Sequence, residues 1–550
     1  MYRLVKSFAV YSREMSSREK IFRSQSRMII DLKSAAEVPE LSCDVCIVGT
    51  GAAGLALASE LLTSRQTVVL VESGGFEHEA ATQALYDVSV TGLQHRGSTE
   101  GRFRVLGGST TKWGGQALPL MPSDFERREW VAHSGWPIAF DELVPYYARA
   151  SRFLLVDNRN FDSDLFDYLH TQPPAFDPQQ VWYHFSKWSP RPNIRALYLR
   201  AISTSDRCTL LLHANVTEVV LQESLNRVNS IKVRSLEGRK ATTKAREYVL
   251  CAGGIETARL LLSNSQQQPM GIGNEHDLVG RFFQDHPNAM VGWVKSRHPA
   301  KLQQVFNVFH KRDLKYSVRC TAPAAWQRQH QMLNVSMGMM FAADDSAFED
   351  LKTLFRATRA HQFDAALVGT ALRVATHPVS ATRSVWDYVA HGKSFEPNAR
   401  ANIYLTCEQE PNPESRILLS DQTDALGVYR VEVRWKLTDL TRQTMLEFAK
   451  VLSDEFQRTG IGEIELDTWF RGDSSTWENH IADQFHHMGT ARMHNSPTCG
   501  VVDKNCRIHA VTNLYIGGSA VFPTSGHSNP TLTIIALAIR LADKLKEKRA

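Results

Sequence analysis

The sequence has few cysteines, no long apolar run and little net charge. Its 550 residues include eight scattered cysteines, too few for a disulfide framework, so we expect a reducing compartment. No apolar stretch approaches the roughly 18 residues that a membrane-spanning helix needs. Hydrophobic residues make up 43% of the chain and charged residues 22%. This balance is typical of soluble globular proteins and excludes disordered and collagen-like classes.

The formal charge of +5 is concentrated at the N-terminus, because residues 1–27 carry seven basic and two acidic side chains. Elsewhere basic residues are interspersed with acids, so nothing indicates nucleic-acid binding. Residues 1–27 lack the apolar core, about 7–15 residues long, of a secretory signal, and they contain no twin-arginine signal. We therefore expect a cytoplasmic protein with a disordered extension over residues 1–39. A transit peptide in residues 1–27, or a true start at Met28, is the alternative.

The first strongly patterned segment is a strand, a glycine-rich loop and a helix. Val45 to Val48 predict a buried parallel strand, which leads into the loop Gly49-Thr50-Gly51-Ala52-Ala53-Gly54. In such a fingerprint the first glycine permits a tight turn, the second admits a pyrophosphate, and the third lets helix and strand pack closely. Glu72 ends the next predicted strand, where a carboxylate binds ribose and disfavours NADP. The fingerprint predicts a dinucleotide but does not separate FAD from NAD.

The rest of the chain shows two kinds of predicted secondary structure. Short predicted strands between residues 209 and 251, followed by a helix from Ile255, continue the α/β pattern. Residues 290 to 480 instead contain alternating strands such as Ile403 to Cys407, typical of an antiparallel sheet with helices packed on it. The pair Cys43 and Cys46 has the spacing of a redox or zinc motif, but both lie in or beside the first strand. We interpret them as buried small side chains, and we expect no metal site.

Several further motifs follow one another in a recognisable order. They are RVLGGSTTKWGG from Arg104, VLCAGGIETARLLL from Val249, LVGRFFQDHP from Leu278, FHHMGTARM from Phe485, and the segment from Gly500 that contains GGSAVFPTSGHSNPT. From about residue 40 onward the chain resembles the glucose-methanol-choline (GMC) oxidoreductases, FAD enzymes that oxidise alcohols. It is similar in particular to bacterial members, to pyranose oxidase and to C-glycoside oxidases.

The resemblance implies an α/β fold (α+β overall) in which two discontinuous domains interleave. The expected FAD-binding domain is Rossmann-like and comprises residues 40–120, 200–290 and 483–550. The expected substrate domain is an antiparallel β-sheet with helices, made from residues 121–199 and 291–482. Implied cofactor-binding residues are Gly49, Gly51, Ala53, Gly54, Glu72, Gly107, Gly108, Ser109, Val216, Gly518, Ser519, Asn529, Pro530 and Thr531. Lys112 stands where pyranose oxidase has its flavin-linking histidine, so we expect FAD to be bound non-covalently.

Matched to the family motifs, His486 and Asn529 are the implied catalytic residues. A histidine suits removal of a hydroxyl proton near neutral pH. Asn529 precedes Pro530, so its side chain is also a candidate helix N-cap. His487 is the rival base, but neighbouring side chains of an extended segment point to opposite faces. His527 and Trp188 are candidate substrate-site residues, and the aromatic run from Trp182 to Trp188 is either a substrate platform or core packing.

We therefore expect an FAD-dependent enzyme that oxidises a secondary hydroxyl of a sugar or glycoside, by proton abstraction and hydride transfer to flavin N5. One alternative is a non-sugar primary alcohol, choline-like or aromatic. Another is a non-catalytic flavin-binding electron-transfer subunit, and an NAD-dependent dehydrogenase is disfavoured. Oxygen, a quinone or a carrier protein would reoxidise the flavin.

Overall fold

The computed structural model describes residues 28–35, 40–342, 350, 353–354, 357, 365–376, 399–472 and 474–548. The extension and transit peptide predicted over residues 1–27, like residues 36–39, lie outside the described residues. None of the described helices is both long and apolar enough to cross a bilayer.

The strands, in chain order, are β1 (Ile29–Asp31), β2 (Leu41–Val48), β3 (Val68–Val71), β4 (Val88–Val90), β5 (Gln116–Ala117), β6 (Trp182–Trp188), β7 (Cys208–Leu212), β8 (Asn215–Leu221), β9 (Val228–Arg234), β10 (Lys240–Leu250), β11 (Asn288–Lys295), β12 (Phe309–Lys311), β13 (Leu314–Thr321), β14 (Val335–Ala342), β15 (Arg400–Cys407), β16 (Arg416–Thr423), β17 (Tyr429–Arg434), β18 (Glu463–Leu466) and β19 (Leu514–Ile516).

The α-helices are α1 (Ala52–Leu61), α2 (Ala80–Gln83), α3 (Gly97–Glu100), α4 (Pro122–Phe125), α5 (Phe140–Phe153), α6 (Asp164–Tyr168), α7 (Ile194–Ser203), α8 (Gly253–Ser263), α9 (Pro299–Phe306), α10 (Ala324–His330), α11 (Ala365–Thr376), α12 (Asp439–Arg458), α13 (Thr468–Arg471) and α14 (Thr531–Glu547). Short 3₁₀ turns stand at Ala84–Tyr86, Gly108–Thr111, Ser474–His480 and Ser519–Val521.

The first sheet is doubly wound and mostly parallel. Its strand order is β1-β7-β3-β2-β10-β9-β8, and β19 pairs with the end of β10. The pairs among β1, β7, β3, β2, β10 and β19 are parallel, whereas β9 joins β10 and β8 in an antiparallel meander. Fully buried Val, Ile and Leu side chains fill β2 and β3, as expected for parallel strands covered on both faces. The predicted α/β fold is confirmed.

The sheet begins earlier in the chain than the sequence indicates. Ile29–Asp31 pairs in parallel with β7, and the N–H of Leu32 also donates to the carbonyl of Leu212. The prediction that residues 28–35 belong to a disordered extension is therefore wrong. A strand of three residues is too short to show a hydrophobic period, and its position depends on pairing with a segment about 180 residues away.

The second sheet is antiparallel, with the order β18-β11-β15-β14-β13-β6-β5 and with β12 paired to β13. Side chains alternate between its two faces. One face is apolar and packs on α12, where Phe176 lies between Tyr183 of β6 and Phe456 of the helix. The opposite face is polar and aromatic. Its side chains belong to Trp182, His184, Ser186, Trp188, Ser317, Arg319, Thr321, Ser336, Asn402, Tyr404 and Thr406.

The aromatic run of β6 is divided between these two faces. Tyr183 and Phe185 are buried in the apolar core, where both contact Phe166. Trp182 and Trp188 lie half-buried on the polar face. The core-packing interpretation is therefore correct for Tyr183 and Phe185, because a strand of period two sends successive rings in opposite directions. The substrate platform stays a prediction for Trp182 and Trp188.

Candidate active site

A cavity of about 620 Å³ opens at the carboxyl ends of the parallel strands. The residues that follow these strands line it: Gly49, Glu72, Ala214, Cys251 and Gly517. This edge is where doubly wound sheets bind their ligands. Two segments more than 400 residues after the glycine-rich loop complete the walls. They are Gln484 to His487 and Asn529 to Thr531.

The three fingerprint glycines occupy three different environments. Gly49 adopts a φ of +101°, which an L-residue rarely takes. A Cβ on Gly54 would lie 1.9 Å from the carbonyl oxygen of Gly49, so this glycine allows helix α1 to pack on the loop. A Cβ on Gly51 would meet no atom within 4 Å, since that side of the residue faces the cavity. The loop is thus open toward a ligand only at its second glycine.

The cavity fits an anionic dinucleotide. Helices α1, α8 and α14 all begin at its wall, at Ala52, Gly253 and Thr531. A helix N-terminus presents free N–H groups and positive potential, which favour phosphate and other negative charge. Gly253 and Gly518 are also open, since a Cβ at either would meet nothing within 4 Å. A bulky planar ligand can therefore approach the backbone there.

Glu72 is buried and holds the fingerprint loop together. Its Oε2 accepts hydrogen bonds from the backbone N–H of Thr50 at 3.1 Å and from the Thr50 hydroxyl at 2.5 Å. Its Oε1 accepts from the N–H of Gly74 at 2.9 Å. Burial raises the pKa of Glu72, and the bonds from Thr50 and Gly74 oppose that rise. Glu72 also lines the cavity, which is where a ribose-binding carboxylate was predicted from the sequence.

The structure brings most of the predicted cofactor residues to this cavity. The lining includes Gly49, Gly51, Ala53, Glu72, Gly108, Ser109, Val216, Gly518, Ser519, Asn529, Pro530 and Thr531. Gly54 and Gly107 lie behind the lining; the N–H of Gly107 donates to the Thr50 hydroxyl at 3.1 Å. Lys112 also lines the cavity and is exposed.

His486 and Asn529 meet at one end of the cavity. The Asn529 Nδ2 lies 3.3 Å from the Nε2 of His486. The N-cap interpretation of Asn529 is wrong, because helix α14 begins at Thr531, Pro530 occupies the N-cap position, and no side chain caps the helix. The Asn529 amide turns toward the imidazole instead.

A second histidine fixes the tautomer of His486. His286 Nε2 lies 3.3 Å from the carbonyl oxygen of Ser525, which can only accept, so His286 carries its proton on Nε2. Burial, opposed by the Asp285 charge, lowers the pKa of His286 and keeps it neutral. Its Nδ1 is therefore an acceptor, 2.8 Å from His486 Nδ1, which must donate. The remaining nitrogen of His486, Nε2, is left unprotonated and faces Asn529.

The pKa of His486 is lowered to about 3, first by burial and then by the neighbouring His286, with the Asp285 charge opposing this and Arg319 adding to it. The imidazole is therefore neutral at pH 7, and its free Nε2 is able to accept a proton.

Asp285 anchors the segment that carries His486. Its carboxylate accepts hydrogen bonds from the backbone N–H groups of His286 at 2.6 Å, Gln484 at 2.9 Å and His486 at 2.8 Å. The Nε2 of His95 lies 3.2 Å from the same carboxylate. Burial would raise the pKa of Asp285, but the bond and charge of His95 outweigh it and hold the pKa well below its usual range. The loop that precedes β11 is thereby tied to the segment that carries His486.

His487 points away from His486, toward His95 and Phe283. Ligand-type atoms of His95, Asp285 and His487 lie within 4.8 Å of one another. The Asp285 oxygens, however, already accept three backbone N–H donors. These bonds occupy most of the lone pairs of the carboxylate.

His527 is buried behind the cavity rather than lining it. Its Nδ1 lies 3.0 Å from Asn334 Oδ1, and its Nε2 lies 3.4 Å from Nδ1 of His184. Trp188 does line the cavity, beside Gln116 of the neighbouring strand.

Sequence reasoning missed His286, Asp285 and His95. The first two stand in the motif LVGRFFQDHP, where an adjacent acid and histidine are a visible signal. His95 has no such signal, since it comes from an irregular segment nearly 200 residues away from Asp285.

A dinucleotide-sized cavity with a neutral imidazole at one end is an arrangement that suits an oxidoreductase.

Comparisons with known proteins also indicate an oxidoreductase. Family models described as GMC oxidoreductase match residues 188–288 and 411–538. The chain is similar to the fructose dehydrogenase large subunit of Gluconobacter japonicus, at 24% identity over 92% of this chain and 98% of that one. It is also similar to paromamine 6'-oxidase of Streptomyces fradiae, at 24% identity over 91% and 90% of the two chains. Among solved structures, pyridoxine 4-oxidase from Mesorbium loti aligns with a TM-score of 0.56 and 17% identity, over 92% of this chain and 99% of that one.

The chain belongs to the GMC oxidoreductase family. It is an oxidoreductase acting on CH–OH groups, and FAD is the cofactor of its family.

Proposed function

We propose that this protein oxidises a secondary hydroxyl of a sugar or glycoside, with FAD bound in the 620 Å³ cavity. The proposal rests on one observation above all: Nε2 of His486 lies 3.3 Å from the Asn529 Nδ2, while Nδ1 of the same ring is bonded to His286. When bound, the flavin of FAD supplies the acceptor for the hydride that leaves the carbinol carbon.

In this proposal His486 removes the hydroxyl proton through Nε2. Its Nδ1–H stays bonded to His286, so the imidazolium that forms keeps its orientation. The amide of Asn529 donates to the substrate oxygen and holds it against the imidazole. Asp285 carries a negative charge next to the backbone of His486 and stabilises the protonated ring. The N-terminus of α14, next to Asn529, favours negative charge at the same end of the cavity.

A polar substrate is supported by the polar face of the second sheet. It carries hydroxyl, amide and aromatic side chains, including Trp188 at the cavity. Sugar-binding sites need this combination, since each substrate hydroxyl must find a hydrogen-bond partner. Two of the relatives are named for fructose and for paromamine, which agrees with a polyhydroxylated substrate. A second candidate, a non-sugar primary alcohol, is supported by the name pyridoxine 4-oxidase.

We further propose that the first sheet forms the FAD domain and the second the substrate domain. FAD is bound non-covalently, because the lysine at position 112 cannot form the histidyl linkage. Denatured protein should then release its yellow colour into the supernatant. A non-catalytic flavin subunit is disfavoured, because such a protein has no need of a proton acceptor and an oriented amide.

The test is anaerobic titration of purified holoenzyme with sugars, glycosides and simple alcohols, followed by flavin absorbance. His486→Ala should keep FAD, but substrate should bleach its flavin about 100-fold or more slowly, because a general base usually contributes that much to the rate. The exposed His276 provides a matched control, and His276→Ala should bleach like the unmodified enzyme. Equal bleaching rates in both variants would assign the base to another residue. Bleaching by primary aromatic alcohols alone would favour the second candidate.

A further inference from the structure

A charged side chain on the polar face of the second sheet lacks a counter-ion. Arg319 of β13 has an exposed fraction of 9%. Within the described ranges, its guanidinium donates from Nη1 to the Thr406 hydroxyl at 3.3 Å, its Nε has no partner, and it forms no ion pair with a carboxylate. The Tyr404 ring lies 5.5 Å from the guanidinium carbon. Burying an unpaired cation is costly, so the site indicates a missing anionic partner.

Arg319 lies near the catalytic end of the cavity, behind the residues that line it. Its cross-strand neighbour is His184, which contacts His527, two residues before Asn529. The charge of Arg319 is close enough to act on His184 and on His486. It adds to the burial that lowers the pKa of His184 to about 3, and, after burial and His286, it contributes to the lowered pKa of His486.

The acids nearest to this region already have partners. Glu408 forms a buried bidentate ion pair with Arg128, whose Nη1 and Nη2 donate to the two carboxylate oxygens at 2.7 and 2.5 Å. Asp285 is surrounded by N–H donors, as described above. Among the described residues of this region, Arg319 is therefore the cation left over. A guanidinium offers two parallel N–H donors, whose spacing matches the oxygens of a carboxylate.

We propose that Arg319 binds a carboxylate of the substrate, so that the preferred substrate is a sugar acid, an alcohol that carries a carboxylate beside its hydroxyls. This inference rests on the proposed function and narrows its substrate class. The hydroxyl to be oxidised lies at His486 and Asn529, and the carboxylate lies against the sheet.

The first experiment measures binding without turnover. Acetate and its neutral isostere acetamide are titrated into purified holoenzyme while the flavin absorption spectrum is recorded. Acetate should perturb the spectrum saturably, and acetamide should not. Arg319→Met should lose the acetate response, and Arg319→Lys should keep a weaker one, since lysine retains the charge but not the fork. Arg328→Met removes an exposed guanidinium of the same domain and should respond like the unmodified enzyme.

The second experiment measures flavin reduction by two matched pairs, D-gluconate with D-glucitol and D-glucuronate with D-glucose. Arg319→Met should lower kcat/KM for the acids by about 10- to 100-fold, as expected for loss of a charged hydrogen bond, and should leave the neutral sugars within about twofold. Equal effects on acids and neutral sugars, or an acetate response that survives in Arg319→Met, would overturn the inference. If Arg319→Met does not fold, an undiminished acetate response in Arg319→Lys overturns it instead. If no sugar bleaches the flavin while acetate binding still needs Arg319, the proposed function fails and the anion site stands.

Discussion

The Nδ1 atoms of His286 and His486 lie 2.8 Å apart, and only one of them carries a proton. The bond of His286 to the Ser525 carbonyl decides which one, since it places the His286 proton on Nε2. His486 then keeps its own proton on Nδ1 and presents a lone pair to the cavity. A residue that does not face the substrate thus sets the chemistry of one that does.

Replacing His286 should therefore act through His486. His286→Leu removes the acceptor, frees His486 to take the other tautomer, and should slow flavin reduction by about 100-fold with little change in KM. His286→Gln keeps an oxygen acceptor and should recover most of the rate. Stopped-flow reduction of the two variants by the same alcohol is the measurement. Similar rates in both variants would show that His286 only fills space.

The pH dependence of flavin reduction should lack the usual histidine inflection. Because the pKa of His486 is lowered to about 3, the residue stays deprotonated, and so active, throughout the range above about pH 5. An unperturbed histidine would be half protonated near pH 6.5. We expect a level rate constant from about pH 8 to pH 5 and a decline below that. Burial sets this behaviour first; the neighbouring His286 and the charge of Arg319 add to it, and the charge of Asp285 opposes it. A rate that halves near pH 6.5 would contradict the prediction.

Two glycines of one loop should fail in different ways. Gly51→Ala adds a methyl group that meets no protein atom, so the protein should fold normally yet lose FAD, because the methyl occupies the approach of the pyrophosphate. Gly54→Ala drives its methyl into the Gly49 carbonyl oxygen, at 1.9 Å, and should lower the stability of the apoprotein. The FAD content and the urea midpoint of each variant distinguish the two effects. Loss of stability in Gly51→Ala with retained FAD would refute this division.

Acid should destabilise the protein through its buried histidines. His184 is buried at 3% exposure, and its pKa is lowered to about 3 by burial and Arg319. Between about pH 6.5 and pH 3 the unfolded chain binds a proton that the native state does not, so stability falls as pH falls, by up to about 1.4 kcal/mol per unit for this group. Denaturant unfolding at pH 7 and pH 5 measures the slope, which His184→Asn should reduce. An unchanged slope in that variant would contradict the assignment.

Much of the fold could be predicted from local patterns. The strand before Gly49, the glycine spacing and the alternation in residues 403–407 each reflect a pattern visible in a short window. The position of His486 followed from a motif. The roles of His286 and Asp285 did not follow from the sequence, because each depends on a partner brought close only by folding. Nor did the isolation of Arg319, which is visible only once the acids around it are seen to be paired. Strand β1 was missed for the same reason, and the Asn529 side chain was assigned to a helix that it does not cap.

The pairing of β10 with β19 has a consequence for biosynthesis. The sheet opens with β1, at residue 29, and β10 ends at residue 250, but the strand that pairs with the end of β10 ends only at residue 516. At about 5–20 residues per second, translation takes roughly a quarter of a minute to a minute to go from the end of β10 to the end of β19. During this time the buried edge of β10 is bare, and a nascent chain has no complete cavity in which to retain its cofactor. Loading with FAD is therefore a late event, and any truncation before β19 should yield a colourless, aggregation-prone product.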